Sequence, residues 1–496
     1  MPRLGFLTRL HILCLVCLTS AACGRGHKVA TPEDAGSSGG DAQPGAAGSV
    51  AGAPAVMDAP GTYQPAKFPL RISNNRRYLA DSAGRPFLIN QASSWGLMQS
   101  LSTEDATTYL DGLVARGFNT VMISAISNDK RMPGSPPAWQ GIAPFEREWD
   151  FSTPNPEYFT HVDEILELAK SRGLLVLLVP CYLGFATDNT QGWADELTSG
   201  TNSAAKSLAY GRFLGARYAS FDNVMWVAGG DNYPDIGSEL ERRLLAIVQG
   251  IHERAPAQLW TAHWNGLEDG SLATEQPNFA EYIDLNGYYA YNYDPTYQRD
   301  LDAYDLTPTK PVFHLDVSYE TELGGDAASI RRRAYTALLS GAAGSSFNAG
   351  PNWYLFKNWR AMDTQGTRET TYWYRFFMSR PWQDLIPDTA HEAVTDGYGV
   401  LGDTGYVCAA HSVDWSLVIA YLPTGGSVTV DTSRLRGERG RAFWYDPTQG
   451  KAMQQAEFAA DAARSFAAPS RQSWVLVVED VAANWKAPGS EPLARP

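Results

Sequence analysis

Asn223-Val224-Met225-Trp226-Val227-Ala228-Gly229-Gly230-Asp231-Asn232 carries an apolar run into two glycines and then presents a carboxylate. A segment this uniformly apolar fits a parallel strand covered on both faces. In a parallel α/β barrel the interior is filled, and the strand ends form the open face where catalytic side chains sit. Asp231 is therefore the first candidate for chemistry.

Outward from this stretch, short apolar runs alternate with amphipathic helical patterns from about Phe68 to Gln383. Strands are predicted over 87–90, 119–125, 174–180, 223–228, 258–262, 282–286, 311–316 and 344–348. Ser102 caps a first helix, with Asp105 three residues on. Helices are expected over 156–172, where Pro156 suits the first turn and Gly173 the end, and over 204–220, 236–255, 327–340 and 367–378. Eight strands separated by helices make an α/β fold, a (β/α)8 TIM barrel, the economical reading. A doubly wound open sheet would carry a glycine-rich phosphate fingerprint after its first strand, and Gln91-Ala92-Ser93-Ser94-Trp95-Gly96 is not one. From Glu392 to Asp480 the texture changes to short alternating segments with turn signals such as Pro423-Thr424-Gly425-Gly426, the pattern of a C-terminal antiparallel β-sandwich.

The 496-residue chain is 44% hydrophobic and carries a formal charge of -14, so it has a large core and no basic stripe for nucleic acid. Arg3 and Arg9 precede the apolar run 10–18, and Ser20-Ala21-Ala22 leads to Cys23, the pattern of an export signal. That run is too short to span a bilayer permanently. Cys23 after small residues resembles a lipobox, with Ser20 where leucine is usual, so Cys23 is the expected lipidation site. Residues 24–60 are Gly, Ala, Ser and Pro with scattered charge, a composition that stays unfolded. The expected division is a signal peptide over 1–22, a flexible linker over 23–62, the barrel over 63–390, the sandwich over 391–482 and a flexible tail over 483–496. The protein is expected as a monomeric envelope lipoprotein, or as a periplasmic or secreted protein, touching membrane only through the lipid. Cys23, Cys181 and Cys408 remain after the signal, too few for a disulfide framework.

No H-x-H or H-E-x-x-H pair occurs among the eight histidines, and no G-x-S-x-G elbow appears, so neither a metal nor another cofactor is called for. Carboxylates are left. Asp316 ends the predicted strand 311–316 as Asp231 ends its own. A single Asp after a strand is ordinarily a cap or turn residue, but two delivered to one barrel mouth converge on one cavity. A proton donor paired with a nucleophile or base is what glycosidic bond cleavage requires. His314 stands two residues before Asp316, and strand alternation places the two on one face. Trp95, His263, Tyr288 and Trp353 follow strand ends and are candidate substrate-binding residues.

The stretches Thr153-Pro154-Asn155-Pro156-Glu157-Tyr158-Phe159, Tyr210-Gly211-Arg212-Phe213-Leu214-Gly215-Ala216-Arg217-Tyr218 and 223–232 closely resemble the apiosidase-like glycoside hydrolases of glycoside hydrolase family 140. The resemblance continues through Arg332-Arg333-Ala334-Tyr335 and Ser340-Gly341-Ala342-Ala343-Gly344. It ends in the tail at Tyr421-Leu422-Pro423-Thr424-Gly425 and Phe443-Trp444-Tyr445-Asp446-Pro447, which are similar to that family's small β domain named for collagen binding. The resemblance implies a retaining barrel enzyme in which Asp231 is the general acid/base. The family's nucleophile is a Glu in a pattern resembling E-x-x-Y-E, and the matching segment here is Asp316-Val317-Ser318-Tyr319-Glu320. Asp316 is then the nucleophile with a carboxylate one methylene shorter, and Glu320 is the alternative nucleophile. An inverting reaction, or a surface lipoprotein that binds glycan without hydrolysis, are the other readings this departure leaves open. The substrate class implied is a furanoside, apiose or arabinofuranose, in a plant or microbial polysaccharide.

Overall fold

The computed structural model describes residues 65–129, 139–185, 191–265, 270–291, 293–322, 324–347, 359–490 and 492. The signal, the whole linker, Cys23 and Trp353 lie outside them. Among the described residues no helix is long and apolar enough to cross a membrane.

Eight parallel strands follow one another along the chain: β1 (Ile89–Ser93), β2 (Thr120–Ser124), β3 (Leu175–Val179), β4 (Val224–Gly229), β5 (Trp260–His263), β6 (Asn286–Ala290), β7 (Val312–Val317) and β8 (Gly344–Phe347). They are not one closed ladder. Six pair in the order β8-β1-β2-β3-β4-β5, while β6 and β7 form a separate parallel pair. A few hydrogen bonds cross the two gaps: Asp284 N and Leu285 N both donate to Trp260 O, at 2.9 and 3.1 Å, and Ala343 N donates to Val312 O at 2.7 Å. Ile89, Met122, Leu175, Leu177, Val179, Met225, Val227, Phe313 and Leu315 nevertheless fill one interior cluster drawn from both sheets. Between them Val176, Leu178, Val224 and Trp226 face outward into a second cluster with the helices. Apolar residues on both faces are what made these runs unbroken in sequence.

The helices of eight residues or more among the described residues are α1 (Thr103–Ala115), α2 (Pro156–Ser171), α3 (Ala204–Tyr218), α4 (Glu239–Arg254), α5 (Tyr297–Tyr304), α6 (Ala327–Leu339) and α7 (Gln365–Met378). Ser102, Asn155, Ser203, Ser238, Asp326 and Thr364 each accept a hydrogen bond from a first-turn N–H, so side-chain caps set these boundaries, as expected for Ser102. Among the described residues no α-helix joins β5 to β6. A two-residue strand (Ser271–Leu272) pairs antiparallel with β6 there, followed by a 3-10 turn (Ala273–Glu275).

After α7 the chain forms two antiparallel sheets, of seven and three strands. The larger includes β9 (Cys408–Ser412), β10 (Leu417–Leu422), β11 (Arg439–Asp446) and β12 (Trp474–Asp480). One face of this sheet closes on the small sheet through Val418, Ala420, Trp444, Leu476 and Val478. Its other face packs on α6 and α7, where Tyr335 stacks on Tyr421 at 5.1 Å and Phe376 meets Tyr445 at 4.7 Å. An ion triad centred on a fully buried carboxylate completes this junction. Glu479 binds Arg380 at 2.8 Å and Arg441 at 2.7 Å. Burial pulls the Arg380 guanidinium down to about 10 and pushes the Glu479 carboxyl up, each opposed by its partners. Of the segment 483–496, expected as a flexible tail, the described part packs here too: Trp485 lies against the junction cluster and Gly489 N donates to Ser379 Oγ at 2.9 Å.

Candidate active site

The chain leaves β4 through three successive positive φ angles, 88° at Gly229, 114° at Gly230 and 53° at Asp231. Glycine is required at the second of these. A Cβ on Gly230 would stand 2.5 Å from Cδ2 of Tyr182. The turn swings Asp231 over the end of the sheet, where Tyr182 donates to its Oδ2 at 2.6 Å and its own N–H donates to His263 Nδ1 at 3.1 Å. An Asp in the left-handed region is uncommon and marks a strained, externally held position.

Asp316 arrives from β7 through a bulge. The pairing of β6 with β7 runs Tyr288 to His314 and then Tyr289 to Asp316, leaving Leu315 as the extra residue. A bulge breaks the period of two. The expected common face of His314 and Asp316 is therefore lost: His314 turns outward to Asp300 of α5 at 2.9 Å, while Asp316 turns inward. Asp316 Oδ1 accepts from Ser93 and from Val317 N, both at 3.1 Å. Its Oδ2 accepts from Tyr319 at 2.8 Å and faces His263 Nε2 at 3.3 Å. Burial pushes the Asp316 carboxyl up from its ordinary value, and the hydrogen bonds from His263 and Tyr319 hold it down. Burial and the neighbouring carboxylates push Tyr289 and Tyr319 well up, so both keep their phenolic protons.

The two carboxylates thus flank one imidazole. The Asp231 side chain is 19% exposed and the Asp316 side chain 3%, so one opens to solvent and the other lies beneath. Trp95 walls the site: its Nε1 donates to Tyr319 Oη at 3.1 Å, and its ring meets Tyr182 at 4.9 Å and His263 at 5.1 Å. His263 is fully buried, with no surface left for a sugar. Tyr288, expected in the pocket, faces away from it and packs with Leu272, Ala303 and Val312; its neighbour Tyr289 lies 4.1 Å from the His263 ring. Glu320 accepts from Gly366 N at 3.0 Å, capping the first turn of α7. Tyr182, Ser93, Tyr289 and Tyr319 escaped the sequence reading as site residues. Tyr182 and Ser93 stand at strand ends, the same signal that selected Asp231. A surface groove at the junction, lined by Pro381, Asp384, Val413, Asp414, Arg436 and Trp485, contains none of this chemistry.

With this geometry established, the comparisons define the class. The profile of the apiosidase-like catalytic domain matches residues 73–384, more than half of the chain, and one named for a collagen-binding domain of a collagenase matches 393–479. The protein belongs to the apiosidase-like family and is a glycoside hydrolase. A glycoside hydrolase family 5 protein from Bacteroides vulgatus ATCC 8482 has a similar structure, with a TM-score of 0.70 at 21% identity over 85% of this chain and 96% of that one. A second structure, described as a glycoside hydrolase, gives 0.71 at 21% identity over 85% and 99%. At such identity these establish the fold. A comparison with curated proteins found no match.

Proposed function

We propose that this protein is a retaining glycoside hydrolase whose eight parallel strands act as a (β/α)8 barrel, with Asp231 as acid/base and Asp316 as nucleophile. The supporting observation is that the two carboxylates, delivered by different strands, flank one buried imidazole, the outer one open to solvent and the inner one covered. Protonated Asp231 donates to the glycosidic oxygen as the bond to the anomeric carbon breaks, and an Asp316 oxygen bonds that carbon. Water, deprotonated by Asp231, then displaces the Asp316 ester and releases the sugar. A carboxylate offers about four acceptor positions, and Asp316 has four donors around it. Attack therefore needs one donor to turn away, which the Ser93 and Tyr319 hydroxyls can do and the Val317 N–H cannot.

The substrate we propose is a furanoside, apiose or arabinofuranose, in a plant or microbial polysaccharide, as the family's name suggests. Export with a lipid on Cys23 and a tether over 24–60 would hold the enzyme at the envelope surface near such polymers. The test is incubation with aryl furanosides, aryl pyranosides and pectic or arabinan oligosaccharides, beside the Asp316→Asn variant. Turnover of a furanoside by the wild type alone supports the proposal. Binding without turnover, or turnover of pyranosides only, overturns it.

A further inference from the structure

We propose that His263 is the positioning residue that fixes both carboxylates in one geometry by using its two ring nitrogens in opposite senses, an inference that rests on the acid/base and nucleophile roles just assigned. The Asp231 backbone N–H can only donate, so Nδ1, 3.1 Å away, is the acceptor and carries no proton. The proton of the neutral ring is then on Nε2, the atom that faces Asp316 Oδ2 at 3.3 Å. One side chain accepts from the main chain of the acid/base and donates to the nucleophile.

The surroundings keep the ring in this role. His263 is fully buried, with Trp95 edge-on at 84° and Tyr289 over it at 30°. Its carbonyl also accepts from Gly230 N at 2.8 Å, so residue 263 receives two consecutive N–H groups of the strained turn. Asp231 has left the strand ladder, and a left-handed residue there keeps its place only if held from outside. Nδ1 supplies that hold. Flipping the tautomer would set two N–H groups against each other at Asp231 and leave Asp316 without one of its donors.

The two senses separate by substitution. Asn places an amide oxygen near the Nδ1 position, and Gln places an amide N–H near the Nε2 position. His263→Gln is expected to lose about tenfold or more in kcat/KM on substrates with poor leaving groups and little on activated aryl glycosides, because only the acid/base is released. His263→Asn is expected to lose comparably on both, with the acid limb of its profile at higher pH, because a donor to Asp316 is gone. Equal losses in both variants on both substrates, with unmoved pH profiles, would make His263 a packing residue and overturn the proposal. An activity-independent reading comes from long-range proton–nitrogen NMR of the wild-type protein labelled with 15N-histidine, assigned through these variants. A neutral ring protonated on Nε2 is expected, and one protonated on Nδ1 overturns the proposal. Should no furanoside be turned over, the functional assignment fails while the NMR result still decides the role of the ring.

Discussion

Replacing Gly230 by Ala perturbs the acid/base without touching a catalytic group. At a φ of 114° a side chain is strained, and the new Cβ would lie 2.5 Å from Tyr182 Cδ2 and 3.3 Å from Leu183 N. Carbon atoms prefer about 3.5–4.0 Å, so the Tyr182 ring must move by about 1 Å, and its hydroxyl, 2.6 Å from Asp231, moves with it. Backbone strain of about 1–3 kcal/mol and overpacking of about 1–3 kcal/mol together destabilise the fold by about 2–6 kcal/mol. Loss of the hydrogen bond to a charged carboxylate adds about 1.5–3 kcal/mol to the barrier, or about 10- to 150-fold in kcat/KM. Gly237→Ala is the control, since Gly237 also has a positive φ, of 78°, but a Cβ there meets nothing within 4 Å. Urea denaturation and initial rates on a poor-leaving-group substrate measure the two effects. In a Gly230→Ala/Tyr182→Ala double variant the clash disappears, so the two losses should not add. A Gly230→Ala enzyme as active as Gly237→Ala would refute the role given to Tyr182.

Three further outcomes are expected. Asp231→Asn should nearly abolish hydrolysis of substrates with poor leaving groups while sparing the first step on activated aryl glycosides, because a good leaving group needs no proton; stopped-flow rates on the two classes check this. Tyr319→Phe removes a hydrogen bond that holds the Asp316 carboxyl down against burial. Asp316 then takes up its proton at higher pH, and since the nucleophile must be ionised, the acid limb of kcat/KM should move to higher pH. Glu479→Gln leaves the buried Arg380 and the partly exposed Arg441 without a counter-charge, which should cost about 3–5 kcal/mol in denaturant titration. Its kcat should be unchanged, because the triad lies at the junction with the β sheets and not at the strand ends.

Most strands could be read from sequence because parallel strands buried on both faces leave an unbroken apolar run, as in β3 and β4. The sixth could not. Tyr282-Ile283-Asp284-Leu285-Asn286 has the period of a strand, yet the strand is Asn286–Ala290, and its second residue is glycine because a Cβ on Gly287 would come within 2.6 Å of Thr261 Oγ1. That offset put Tyr288 in place of Tyr289 at the pocket. The β7 bulge was equally hidden, since one inserted residue alters which side chains share a face without altering composition. The gaps between β5 and β6 and between β7 and β8 depend on hydrogen-bond registers that no periodicity reports. Asp231 and Asp316 were legible because both stand at the ends of apolar runs, whereas the ring between them acquires its role only from the fold.

The assignment of Asp316 as nucleophile is tested most directly by Asp316→Gly in the presence of azide. Azide in the vacated space should restore part of the turnover of an activated aryl furanoside and give a glycosyl azide of the opposite anomeric configuration. No rescue in Asp316→Gly, together with rescue in Glu320→Gly, would contradict the assignment and move the nucleophile to the residue that caps α7.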